Sequence, residues 1–264
     1  MHLWGCKKMN LLIIAPHQDD EILGAFLLMH KALKKKGTVN ILYATNGDHR
    51  GRDCAQTRYY ESLNALSLLG ICEEHMLYLG YADTGMSKGK SFLMRLRSTH
   101  EQQHSPVSSC TYHPANKETI HFWRMGTQAE YTGQSFLNDL VYAIRLCSPD
   151  LIAAPSVFDL HGDHHACSMY LQDALRIIKR PVKVLSYLIH TENEEVWPDR
   201  KSDIFQPPHK LSNFHWISVY GNKETFSAKK SAISCFSSQS PYANNCFLYS
   251  FAKQNELFIL ESSQ

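Results

Sequence analysis

No two of the eight cysteines stand as a Cys-x-x-Cys pair, and no tight spacing links Cys54, Cys72, Cys110 and Cys167. This argues against a cysteine-held zinc site and against a disulfide scaffold. It predicts reduced, mostly buried thiols instead. Long apolar runs are missing as well: no stretch approaches the roughly 18 apolar residues that cross a membrane. Lys7 and Lys8 precede Leu11 to Ala15, but that run is too short for a secretion signal, and Pro16-His17-Gln18-Asp19-Asp20 ends it. The default expectation is a soluble, cytoplasmic protein without stable membrane insertion. Charge of one sign is scarce too, with a formal net charge of +2. No broad electrostatic footprint for nucleic acid follows from it. The run Lys34-Lys35-Lys36 precedes Gly37 and reads as a solvated helix C-terminus. A Gly-rich phosphate cradle is absent, which demotes a phosphoesterase. No internal repeat is visible, and no shift in composition marks a domain boundary.

What is present is an ordinary globular composition, 44% hydrophobic and 20% charged over 264 residues. That is enough for a buried core and too apolar for a disordered chain. Short apolar runs alternate with helical patterns. The continuous run Leu11 to Ala15 predicts a buried strand. Ile22, Ala25, Phe26, Met29 and Leu33 then recur at helical spacing, predicting a helix over 21–36 that Gly37 stops. Strands are predicted over 39–44, 75–79, 150–154, 182–189, 215–220 and 256–260. Further helices are predicted over 58–69, 136–147, 166–179 and 223–236. Between about residues 84 and 133 periodicity fails, and a loop that long is either functional or hides short elements. The whole chain is expected to form one α/β domain with a mostly parallel sheet. Such sheets bind ligands beyond the carboxyl ends of their strands.

Two clusters fall at such ends. Pro16-His17-Gln18-Asp19-Asp20-Glu21 follows the first strand and opens the first helix. Adjacent carboxylates repel, and a divalent cation or the helix N-terminus would compensate them. An acidic helix start alone accounts for Asp19, Asp20 and Glu21, but not for His17. The second cluster is His161-Gly162-Asp163-His164-His165, preceded by Asp159, again between a strand and a helix. A catalytic zinc site needs three nitrogen or oxygen ligands from the protein and keeps one position for water. One His and one Asp of the first cluster with one His of the second would suffice. A third group, His100, His104, His113 and His121, includes an i, i+4 pair, but the flanking residues support no helix there. A substrate-covering loop suits it better than a metal face. His49 and Arg50, just past the second strand, face either the pocket or the surface.

The sequence resembles the PIG-L / LmbE-like family of zinc-dependent N-acetylglucosamine deacetylases. Ala15-Pro16-His17-Gln18-Asp19-Asp20-Glu21 resembles the family's A-H-P-D-D-E signature, and His161-Gly162-Asp163-His164 its H-x-D-H signature. Thr45-Asn46-Gly47, Arg58-x-x-Glu61 and Leu79 to Met86 extend the likeness. Gln18 stands where the family usually has proline, a change in turn rigidity at a position that donates nothing to the metal. The resemblance implies a Rossmann-like three-layer fold and a metal held by His17, Asp20 and His164. It implies Asp19 as general base, His161 as oxyanion stabiliser or acid, and Asp163 as the residue that orients a histidine. It further implies sugar contacts from Arg58 and Asp83. Zn2+ is the expected cofactor, with Fe2+ or another divalent metal open to the same ligands. The expected partner is a small amino-sugar conjugate whose N-acyl group is removed, a cationic His161 suiting the oxyanion. Homo-oligomerisation is left open. A sugar-thiol or glycopeptide amidase of the same fold, and a noncatalytic carbohydrate-binding relic, are the alternatives.

Overall fold

The computed structural model describes residues 8–191, 197–239 and 246–261. A seven-stranded sheet runs through it in the order β3-β2-β1-β4-β5-β7-β6. The strands are β1 (Asn10–Ala15), β2 (Thr38–Thr45), β3 (Met76–Tyr81), β4 (Leu151–Pro155), β5 (Lys183–Tyr187), β6 (Trp216–Tyr220) and β7 (Asn255–Glu261). The first five are parallel, and β7 pairs antiparallel with both β5 and β6. The sheet is therefore mostly parallel, as expected.

Side chains of a strand alternate between faces, and β1 feeds two cores in this way. Leu11, Ile13 and Ala15 join a cluster with Ile22, Phe26 and Ile233, while Leu12 and Ile14 join one with Leu96, Phe136 and Leu171. Burial on both faces is why the run reads as continuously apolar. One face carries α1 (Asp20–Lys34), α2 (Arg52–Ser67) and α7 (Lys223–Ser234). The other carries α3 (Phe92–Ser98), α4 (Ile120–Met125), α5 (Gly133–Cys147) and α6 (Gly162–Ile178). A short α8 (Cys246–Ser250) precedes β7. Helix α1 lies close against the sheet's β5 end. A Cβ at Gly24 would stand 2.6 Å from the Tyr187 ring, whose hydroxyl donates to the Ile14 carbonyl at 2.8 Å.

The stretch about 84–133 hides short elements, α3 and α4, capped locally by Ser91 and Thr119. Each is too short to register in a window of about 11–18 residues. Helix α2 begins at Arg52 rather than near Arg58, because its first turns bear Arg52, Asp53, Gln56 and Thr57 and no apolar stripe. The thiols are free, but among those described only Cys167 is buried, and Cys72 is exposed. No described helix is long and apolar enough to cross a membrane.

Candidate metal centre

Strand β1 lies between β2 and β4, so the chain leaves β1 one way and later returns on its other side. Crevices at such a reversal, outside the carboxyl ends, are where open α/β sheets take ligands. Residues 16–19 leave β1 and residues 156–161 leave β4, two strands in register from Leu11–Leu151 to Ile13–Ala153. Pairing of these strands alone brings the two sequence clusters together.

His17 and His164 have ring centroids 5.4 Å apart, and donor atoms of His17, His161 and His164 lie within 4.8 Å of one another. Asp20 Oδ2 sits between the two, 3.3 Å from His17 Nδ1 and 3.1 Å from His164 Nε2. His164 Nε2 is buried and makes no hydrogen bond. The other ring nitrogen, Nδ1, is held by Asp159 Oδ2 at 3.1 Å. A tautomer protonated at Nδ1 leaves Nε2 a lone pair aimed at the space it shares with Asp20. Two imidazoles flanking one carboxylate oxygen, with His161 beside them, are the donor types that a divalent ion of the zinc type takes. The backing of each imidazole by a carboxylate is how ligating histidines are held.

Electrostatics agree with that fit. Burial alone would lower the His17 pKa, but Asp83, Asp163 and Asp20 raise it well above the usual imidazole range. Burial opposes the charge of His164 too, yet Asp159 and Asp20 lift it to about 10. Asp20 is pulled well below the carboxylate range by His164 and His17, against its burial. The carboxylates around the two imidazoles thus favour positive charge between them.

Around the donors sit the remaining residues picked out in the sequence. Asp19 is the residue before α1 and has φ 133, ψ −30, a conformation rare outside glycine. Its N–H donates to Glu21 Oε2 at 3.0 Å, and its carbonyl accepts from Ile22 and Leu23 at 2.9 Å each. Burial raises the Asp19 carboxyl to about 7, against the Arg58 guanidinium. Arg58 itself is buried, donating to the Gln18 carbonyl at 2.7 Å and lying 3.4 Å from Asp19 Oδ1. Asp83 faces Arg58 at 3.8 Å, His17 at 3.8 Å and His49 at 3.4 Å. His161 stands 4.6 Å from His17 between ring centroids. Its Nδ1 accepts the Asp163 N–H at 3.2 Å, which leaves Nε2 to carry the proton. A cationic His161 is not what the site supports. Burial, His17, His164 and His190 push it down to about 2, so the ring is neutral. Asp163 accepts from His17 Nε2 at 3.2 Å.

A cavity of about 380 Å3 opens over these groups. His17, Asp19, Asp20, Arg58, Asp83 and His161 line its polar side, and Leu23, Met86, Ile189, Phe247 and Leu248 its apolar side. His49 lines it as well, whereas Arg50 turns away to the Ser238 carbonyl. The four-histidine group does not converge. His121 pairs with Asp139, His113 packs on Tyr78, and among the described residues none of the four joins a donor group. His190 was not singled out in the sequence, and Asp159 was noted there without a role. Asp159 accepts from the backbone N–H of His161, Ile189 and His190, so one carboxylate ties the β4 and β5 ends together. Its neighbour His161 could have flagged Asp159, but nothing local flags His190.

Fold and donor set together define an α/β protein with an imidazole–carboxylate centre at the reversal of its sheet. The chain belongs to the PIG-L family: the model of the GlcNAc-PI de-N-acetylases matches residues 12–175. A comparison with curated protein sequences finds no match. Among solved structures, an A40926 pseudoaglycone deacetylase aligns at TM-score 0.61 and 15% identity, over 98% of this chain and 100% of that one. An N,N'-diacetylchitobiose deacetylase from Pyrococcus horikoshii aligns at 0.57 and 14%, over 95% and 83%. A 4-carboxy-2-hydroxymuconate hydratase from Pseudomonas putida aligns at 0.53 and 13%, over 97% of each chain. At such identities the likeness establishes the fold, and a deacetylase and a hydratase share it.

Proposed function

We propose that this chain is a metal-dependent N-deacylase that hydrolyses the N-acetyl or N-acyl amide of an amino-sugar conjugate. The observation that carries the reading is that Asp20 Oδ2 lies 3.3 Å from His17 Nδ1 and 3.1 Å from His164 Nε2, at the cavity that Asp19 also lines. Membership of a de-N-acetylase family supports the choice of amide over other hydrolysable bonds. His17, Asp20 and His164 would hold the ion, Zn2+ or another divalent metal such as Fe2+. When bound, such an ion polarises an amide carbonyl and lowers the pKa of a water from 15.7 towards about 7.

The protein's own groups do the rest. Asp19 takes a proton from the attacking water as the water oxygen bonds to the acyl carbon, a contribution of about 10²–10⁴-fold. His161, neutral with its proton on Nε2, donates to the oxygen as negative charge develops there. The C–N bond then breaks, Asp19 passes its proton to the nitrogen, and a free amine and a carboxylic acid leave. Asp163 holds the His17 ring, and Arg58 and Asp83, which line the cavity, would meet hydroxyls of a sugar. The apolar wall of Met86, Ile189, Phe247 and Leu248 favours, as a second reading, an acyl group or aglycone larger than acetyl.

The test is metal analysis of the purified protein with an amine-release screen. N-acetylglucosamine derivatives and longer N-acyl analogues serve as substrates, alongside Asp19→Ala. Release from at least one N-acyl sugar, lost in Asp19→Ala, is the expected result. Full activity in Asp19→Ala would remove the base assignment. A protein that binds these sugars but releases no amine under any divalent metal would be the carbohydrate-binding relic.

A further inference from the structure

We infer that Ser91, far from both signature clusters in sequence, is a positioning residue of the metal centre, acting on His17 through Asp163. The inference rests on the cation reading above and extends it to a segment that neither signature covers.

Asp163 has two carboxylate oxygens and divides them. Oδ2 faces His17 Nε2 at 3.2 Å, and Oδ1 accepts the Ser91 hydroxyl at 2.5 Å together with the Leu93 N–H at 3.4 Å. Asp163 is fully buried, as is Ser91. With Oδ1 fixed by two donors, the carboxylate cannot rotate away from His17. A carboxylate held against Nε2 keeps the proton there and leaves Nδ1, the nitrogen beside Asp20, as the lone-pair donor. Ser91 thus completes a chain from Ser91 Oγ through Asp163 to His17.

The backbone around Ser91 is fitted to this task. Residues 84–91 lie against the start of α6, where the Gly162 N–H donates to the Met86 carbonyl at 2.7 Å. A Cβ at Gly162 would meet Ser91 Cβ at 2.4 Å and Lys88 Cα at 2.9 Å. Only glycine lets the segment come this close, and only at this range does the serine reach Asp163. Met86 also lines the cavity, so one segment borders the substrate space and steadies the metal ligand. Ser91 has a second duty, because its oxygen caps α3 by accepting the Met94 N–H at 3.1 Å. The experiment must separate the two duties.

Zn2+ affinity is measured by competition with a chromophoric chelator on five full-length proteins: wild type, Ser91→Ala, Ser91→Thr, Asp163→Asn and Ser91→Ala/Asp163→Asn. Thr119→Ala is the control, since it removes the α4 cap and leaves Asp163 untouched. Wild type binds one ion, and Ser91→Ala binds it about tenfold more weakly, the low end for groups behind a ligand. Ser91→Thr restores the affinity, and Thr119→Ala does not change it. In the double variant the Ser91 effect disappears, because its route through Asp163 is already cut. Equal affinity in Ser91→Ala and wild type overturns the inference and leaves the metal reading standing. Additive losses in the double variant overturn it as well. A wild type that binds no divalent ion removes the metal reading and this inference together. If Ser91→Ala does not fold, Asp163→Asn decides: an unchanged affinity there refutes the relay.

Discussion

Asp19 joins two demands in one residue. Its carboxyl lies beside the donors, and its backbone sits at φ 133, where a side chain is strained. Such strain costs about 1–3 kcal/mol and is held by surrounding bonds, here the Glu21 carboxylate on its N–H and two N–H groups on its carbonyl. Asp19→Gly should therefore melt higher than Asp19→Ala, by the equivalent of about 1 kcal/mol, although both lose turnover. Equal melting of the two by calorimetry would show that the backbone is relaxed there. Asp20→Ala is expected to differ in kind. It takes the oxygen shared by His17 and His164, so bound metal should fall to background in elemental analysis, while Asp19→Ala stays near wild type. At this scale the signatures were legible because each is contiguous. Asp159, His190 and Ser91 were not read as site residues, because their partners are remote in sequence or lie across a turn.

Helix α1 brings Asp20 to the site from its first turn and is pinned from behind by a buried ion pair. Lys229 on α7 donates to the Leu23 carbonyl at 2.9 Å and to Glu256 at 2.7 Å. Glu256 on β7 in turn accepts the N–H groups of Leu27 and Leu28 at 3.0 and 3.1 Å. Both side chains are buried. Glu256→Gln would leave the ammonium without its counter-charge, and breaking a buried pair in this way costs about 3–5 kcal/mol. A urea-unfolding midpoint unchanged by that substitution would contradict the account. Another element-level prediction concerns the segment between β3 and α4. His113 Nδ1 accepts the Ala115 N–H at 3.0 Å, so the folded ring is neutral. Burial, with Lys117, lowers its pKa to about 4. The unfolded chain takes up a proton as pH falls below about 6.5 and the folded chain does not until about 4. The stability that His113 contributes is thus complete above about 6.5 and drains away as pH falls towards 4, by at most about 3 kcal/mol. His113→Asn keeps the acceptor and should flatten the fall of Tm across that window. Helix and strand cores were predictable from periodicity, while the α2 start and the short α3 and α4 were not, because caps and polar turns carry no hydrophobic period.

For the molecule as a whole, a ligand that binds only the folded state raises stability by about 2.7 kcal/mol at a hundred times its Kd. Saturating Zn2+ should raise the Tm of the chelator-stripped protein, and Asp20→Ala should abolish the rise. A Tm indifferent to both zinc and chelator would count against a folded-state ion site. Order along the chain was enough to predict an α/β sheet, because buried parallel strands must be apolar throughout and helices must carry a striped face. It was also enough to mark the two clusters as chemistry, since four imidazoles crowd two strand–helix junctions beside carboxylates, and a helix start accounts for the carboxylates but not for the imidazoles. Which ring nitrogen faces which carboxylate was decided by tertiary structure alone, as were the neutrality of His161, the reach of Ser91 and the strain at Asp19. Those properties depend on the mutual approach of β1, β4 and the 84–91 segment. Hydrogen-bond direction and burial are settled over a few ångströms between groups far apart in sequence, where local pattern carries no information.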